Sequence, residues 1–365
     1  MGRSSDRKSG DKETQDTIDA FLYKMQALSS LAATQLKHAR VNQRRELKTI
    51  SGKLEKVAAR FDKGKPSLLE AAHNINTFFD CMKELEPLKL IHHETMLAEI
   101  LFASIFSSFD AYLNHLLRNL YRQRPNLLTA PEAKDDTKET RETKSVSFAD
   151  VLHRTKDEII DNLIDGELNS LLRDSYIRIF ERLARRFSTG TLKAFEAWPV
   201  FVECSQRRNV IMHCDGIVSK QYVENCKSEG VNIAQAIIVG QTKLSVSIDY
   251  LVKSIEVATE VGVKLGQVLW RASSELSVAS ADVHLGELLY SLLKREEWTL
   301  AMRMGEFGRE ISKRSHRVPR NERSLKVIVI NHAQAAKWSG DKTTALKLIE
   351  EFDWSGSAFE FQLAV

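Results

Sequence analysis

Between Leu101 and Tyr121 the chain reads LFASIFSSFDAYLNHLLRNLY, and its apolar residues return every three or four positions. That is the period of one face of an α-helix, filled here by aromatic as well as aliphatic side chains. The spacing predicts a helix from about Glu94 to Arg122, too apolar to stand in water unless other elements cover it. The rest of the chain can supply that cover. It holds only 6 Pro and 16 Gly in 365 residues, and its long stretches of Ala, Leu, Glu, Lys and Arg favour helices over tightly turned sheets. The predicted class is mainly α.

Four parts are expected. Residues 1–16 carry almost no apolar side chains and read as a disordered tail. Residues 17–90 read as a basic N-terminal helical module. In it Ile18, Phe21, Leu22, Met25 and Leu28 keep helical spacing, and Leu47, Ile50, Leu54 and Val57 extend it as one long helix or a hairpin of two. Pro66 is placed to open a further helix and Pro87 to close it. Residues 91–275 form a central helical bundle with a charged loop at 130–146. Within the bundle, AIIVGQTKLSVSIDY alternates β-branched and polar residues about Gly240 and Gln241, which predicts a small β-hairpin. Gly262 and Gly266, four apart on the next helix, point to close helix packing. Residues 276–365 read as α-hairpin repeats of TPR or HEAT-like kind, with turns at Lys294-Arg295-Glu296 and Ser339-Gly340-Asp341 and a face suited to a protein partner.

Charge is unevenly spread. Residues 1–65 hold 15 Lys and Arg against 8 Asp and Glu, and the remaining 300 hold 38 against 41, so the whole positive excess is N-terminal. A second basic feature lies in IRIFERLARRF, where helical spacing sets Arg178, Arg182, Arg185 and Arg186 on one face, either solvating the helix or contacting RNA. Cys81, Cys204, Cys214 and Cys226 form no CxxC pair and follow no apolar leader, which suits reduced thiols in the cytoplasm. The most apolar run, ILFASIF, is too short to span a bilayer, and no membrane partner is expected.

Several chemistries lack their residues. There is no GxGxxG opening a helix, no P-loop, no HExxH and no GxSxG. The cluster Cys204, His213, Cys214 and Cys226 matches no familiar zinc spacing, so no metal and no cofactor are expected. What remains is CSQRRNVIMHCDG, residues 204–216. Taking Arg208 as the origin, Asn209 falls at about 100° and His213 at about 140° around a helix, so these two are stacked neighbours with the arginine beside them. Gly216 suits the left-handed position past a helix end, which puts His213 in the last turn near the negative pole of the dipole. Metal-free RNA cleavage needs a group that moves protons, which histidine can be, and a fork of donors for phosphate oxygens, which arginine is. The same three residues would also serve as ordinary helix-end polar groups.

RRNVIMHCDG resembles the Arg-x4-6-His signature of HEPN domains in its Arg-Asn-x3-His form, with Arg208, Asn209 and His213 at the matching positions. LFASIFSSFDAYLNHLLRNLY is similar to that family's first long helix, and GIVSKQYV to the segment after its histidine, so the resemblance covers about residues 94–270. It implies a HEPN-type bundle and a metal-independent endoribonuclease akin to RiboL-PSP-HEPN-like ribonucleases and toxins. It further implies a homodimer in which paired motifs share one cleft, and a role as toxin or effector in bacterial antiviral defence. Arg208, Asn209 and His213 are then the catalytic residues, with Arg207 supporting and Asp110, on the first long helix, facing the motif to hold the arginine. Two other readings stay open: a HEPN scaffold without catalysis, in which the same residues make only a dimer interface or bind a nucleotide, and a pure interaction protein whose helical ends are the working parts around a dimerising centre. On the ribonuclease reading, target choice is expected outside the motif, and residues 90–275 are expected to cleave RNA on their own.

Overall fold

The computed structural model describes residues 2–62, 67–128, 152–234, 236–314 and 322–355. Among them the molecule is mainly helical, with twelve α-helices and no strand. In chain order these are α1 (Gly2–Asp62), α2 (Leu68–Leu90), α3 (His93–Gln123), α4 (Lys156–Leu171), α5 (Tyr176–Phe187) and α6 (Trp198–Cys214). They continue with α7 (Lys220–Ser228), α8 (Ile248–Ser273), α9 (Val278–Lys294), α10 (Trp298–Arg314), α11 (Glu322–Trp338) and α12 (Lys342–Glu350).

Local sequence explains many helix starts. Ser67 with Glu70, and Thr155 with Glu158, make reciprocal capping boxes at α2 and α4. Single side-chain caps from Ser175, Ser219, Ser247 and Asp341 begin α5, α7, α8 and α12. Pro87 does not close its helix: α2 runs through it to Leu90, and the Ile91 N–H still bonds the Pro87 carbonyl at 2.9 Å.

The predicted long helix is α3, and it lies at the centre. By length and composition α3 alone, among the described residues, could cross a bilayer. Its apolar face is instead covered: Ile105, Phe109, Leu113 and Leu116 are fully buried, against α1, α6 and α8. Gly262 and Gly266 of α8 let α1 come close. A Cβ at Gly262 would stand 2.4 Å from Phe21 Cε1, and one at Gly266 would stand 2.1 Å from Tyr112 Oη. Phe21 in turn stacks on Tyr112 with ring centroids 4.3 Å apart. The two glycines therefore mark close helix packing, as their spacing predicts.

Three expectations are corrected here. Residues 9–16 are not a tail but lie within α1. Trp270 Nε1 donates to Asp11 Oδ1 at 2.9 Å and Gln123 Nε2 to the Gly10 carbonyl at 2.8 Å, partners that only tertiary packing supplies. Residues 17–90 are not one separate module: Ile18, Phe21, Leu22 and Met25 share one core with α3, α8, α9 and α10, whereas Ile50, Cys81 and Leu85 form a small cluster of their own between α1 and α2. The predicted β-hairpin is also absent among the described residues. Thr242 N closes onto the Ile238 carbonyl at 2.9 Å, and the segment pairs with the loop after α6 through Leu244 N to Gly216 O at 2.8 Å and a lone Ile217–Lys243 bridge. The C-terminal helices and both their turns fall where the sequence puts them. The loop at 130–146, Pro66 and residues 357–365 lie outside the described residues.

Candidate active site at the end of α6

Helix α6 starts at Trp198 with Pro199 in its first turn, where a missing N–H costs nothing. Its buried face packs Phe201 against Phe109 of α3, ring centroids 5.0 Å apart, and this fixes the rotation of the helix. The helix ends with Asp215 (φ 47°) and Gly216 (φ 80°) in the left-handed region. Only glycine fits at 216, because a Cβ there would lie 2.6 Å from the Leu244 carbonyl oxygen. Lys243 holds Asp215 at 2.8 Å, so the loop that replaces the expected hairpin locks the helix end.

That rotation brings Asn209 and His213 onto one wall of a pocket of about 340 Å³ between α6 and α7. Ser175, Gln206, Val210, Cys214, Ser219, Gln221, Tyr222 and Asn225 line the rest. His213 is exposed and makes no hydrogen bond among the described residues, which leaves its ring open to a ligand. Arg208 stands beside the pocket rather than in its lining, with Nη1 donating to Asn209 Oδ1 at 3.0 Å. Its Nε is buried and has no partner among the described residues. Asp110 of α3 lies within the electrostatic reach of Arg208, but its carboxylate makes its bond to another group: Tyr176 Oη donates to it at 2.5 Å. Burial raises the Asp110 pKa above the ordinary carboxylate value, while the Tyr176 bond and the Arg208 charge pull the other way.

Arg207 does not join this group. One residue earlier means a turn of about 100°, which carries it to the other side of α6. There it pairs with Glu203 at 2.8 Å, donates to the Ser245 carbonyl and lies 4.0 Å from the centre of the Tyr250 ring. Glu203 also accepts from Tyr222 Oη at 2.7 Å and Tyr250 Oη at 2.5 Å, so one carboxylate ties α6 to α7 and α8. Burial and the charge of Glu203 raise the pKa of both tyrosines and push the thiols of Cys204 and Cys226 up to about 11 and about 12. These cysteines are inert packing groups; Cys214 is the exposed one.

The basic stripe of α5 divides. Arg182 and Arg186 both reach Glu167, whose side chain is 2 % exposed, at 3.3 and 2.9 Å. Arg186 also donates to the Leu127 carbonyl at 2.7 Å, and Arg182 to Asp174 at 2.8 Å. These two arginines fasten α5 to α4, whereas Arg178 and Arg185 remain exposed. The spacing that aligned all four is correct, but the buried acid that claims two of them comes from a different helix. No three His, Cys, Asp or Glu side chains group as metal ligands among the described residues.

Glu203 and its two tyrosines, and the Gln206–Asn225 pair on the pocket floor, carry no motif. The single local signal was the i, i+4 spacing of Glu203 and Arg207. No family model, no curated protein and no solved structure matches the chain.

Proposed function

We propose that the end of α6, where Arg208 stands at the edge of this pocket beside Asn209 and His213, is the cleavage centre of a metal-independent endoribonuclease of HEPN type. The observation that carries this reading is the placement of Asn209 and His213 on one pocket wall, with Arg208 bonded to the Asn209 carboxamide beside them. In the proposed reaction the ribose 2′-oxygen attacks phosphorus as its proton passes to an imidazole. The bond to the 5′-oxygen breaks, and that oxygen takes a proton as it leaves, giving a 2′,3′-cyclic phosphate and a 5′-hydroxyl. Arg208 faces the charge that grows on the phosphate oxygens, where a guanidinium fork is stronger than a point cation. One copy offers one His213, so a homodimer joined at the exposed ends of α6 would supply both proton-transfer groups. Within this reading the segment from α3 to α8 is the HEPN-type bundle, Arg178 and Arg185 extend the RNA path, and α9–α12 offer a face to a protein partner. The biological role that accompanies it is that of a cytoplasmic toxin or effector in antiviral defence.

The test is RNA cleavage by the purified full chain in the presence of a chelator, beside His213→Ala. Cleavage by the parent and its loss in the variant support the reading. Undiminished cleavage by His213→Ala overturns it, and absence of cleavage by both proteins favours the scaffold without catalysis.

A further inference from the structure

The pocket beside His213 is walled by neutral groups. Apart from His213 itself, its hydrogen-bonding side chains are carboxamides and hydroxyls, and no Asp, Glu, Lys or Arg lines it. A phosphate has nothing there to neutralise it, since Arg208 stands outside the lining. A flat heterocycle rich in donors and acceptors is better matched, and about 340 Å³ falls within the usual range for small-ligand sites.

The floor carries a second, independent observation. Gln206 is a polar side chain only 6 % exposed, and it shares one hydrogen bond of 3.0 Å with Asn225 of α7. That bond uses one end of each carboxamide. The Gln206 amide nitrogen and the Asn225 carbonyl oxygen have no protein partner among the described residues. Turning both amides over exchanges which residue donates and leaves the sum unchanged: the pair presents one donor and one acceptor side by side. The free Gln206 nitrogen is not sealed in the interior but reached from the pocket, so a ligand there would take the place of water at it. The edge of a nucleobase, with its own adjacent acceptor and donor, completes both at once.

Resting on the proposed ribonuclease reading for the position of the phosphate at Arg208, we infer that this pocket is a nucleobase subsite. It would hold, by its Watson–Crick edge, a base of the RNA strand adjoining the scissile bond, with Gln206 and Asn225 as the reading pair. Base choice at the cut then belongs to α6 and α7, in contrast to the expectation that the motif region leaves selection to the ends of the chain.

The four nucleoside 3′-monophosphates, ribose 5-phosphate and decamers of each base are titrated against the full chain carrying His213→Ala, with and without Asn225→Leu. At least one nucleotide should bind, its decamer should bind more tightly, and Asn225→Leu should weaken both by about tenfold or more. Methylation of that nucleotide's Watson–Crick edge should weaken it as much, a comparison that needs no second variant and so survives any misfolding of Asn225→Leu. Ribose 5-phosphate binding as well as the nucleotides, or indifference to both Asn225→Leu and edge methylation, overturns the inference. A mononucleotide that outbinds its decamer overturns the assignment to RNA. These readouts require no cleavage, so a parent protein that binds nucleotides through Asn225 yet cuts nothing would sink the ribonuclease reading and leave the subsite standing.

Discussion

Tyr176 Oη donates to Asp110 Oδ1 at 2.5 Å, joining α5 to α3 within the field of Arg208. Burial raises the pKa of this carboxyl, so the folded state holds its proton more tightly than the unfolded chain does. The stability it contributes is complete below the unfolded value, about pH 3.9, and is lost as pH rises through the raised folded value. Asp110→Asn keeps an acceptor for Tyr176 and removes the titration. The melting temperature of Asp110→Asn relative to the parent should therefore improve from pH 4 to pH 7. The same difference at both pH values would refute the buried, proton-favouring site.

His332 gives a pH dependence of the opposite sign. It is 4 % exposed on α11, its Nδ1 has no partner among the described residues, and its Cβ lies where a side chain on Gly305 would stand 2.5 Å away. Burial, reinforced by the charge of Arg309, lowers its pKa from 6.5 to about 4. Stability from this group is present above pH 6.5 and lost as pH falls towards 4, because the unfolded chain takes the proton first. The loss should reach about 2 kcal/mol near pH 5, by the roughly 1.4 kcal/mol that each pKa unit carries. In His332→Gln, denaturant melts at pH 7.5 and pH 5 should differ less than in the parent by about that amount. An unchanged pH slope would mean that the ring is hydrated.

The two adjacent arginines should separate by readout. His213→Ala should lower RNA cleavage by roughly 10² to 10⁴ while leaving RNA affinity nearly unchanged, the pattern of a lost proton-transfer group. Arg208→Ala should weaken cleavage and affinity together. Arg207→Ala strands Glu203 without its cation and should lower the unfolding free energy by about 1–3 kcal/mol. Equal melting temperatures for Arg207→Ala and the parent, or a large melting loss in His213→Ala, would undo this division.

What the sequence reveals and what it hides follow the range of the interactions. The helix over Leu101–Tyr121, the stop at Gly216 and the turns near Arg295 and Gly340 rest on neighbours within a few residues, and each is found where the sequence puts it. The stacking of Asn209 on His213 is equally local, since it needs only the helical angle. Arg182 and Arg186 looked available because Glu167, which occupies them, enters from α4. Asp11 looked like part of a tail because Trp270, its donor, lies 259 positions away. The reading pair Gln206–Asn225 was invisible for the same reason, being two unremarkable carboxamides until α7 folds across α6.

The expectation that residues 90–275 work alone reverses once the core is considered. Ile18, Phe21, Leu22 and Met25 of α1 are each no more than 3 % exposed, seated against α3 and α8. Burying a side chain of this size contributes about 1.5–3 kcal/mol, so these four together account for roughly 6–12 kcal/mol. That is comparable with the whole net stability of a typical domain, about 5–15 kcal/mol. Removing α1 would also bare Tyr112 and the hollow above Gly262 and Gly266, and take Asp11 from Trp270. Cutting at 275 further strips away Leu285 and Leu289 of α9, both fully buried in the same core. The fragment 90–275 should therefore show no cooperative thermal transition, whereas the full chain melts in one sharp step with α1 in place. A sigmoidal melt of the fragment with dispersed amide resonances would show that the α6 pocket stands on a smaller core than the packing of Phe21 on Tyr112 implies.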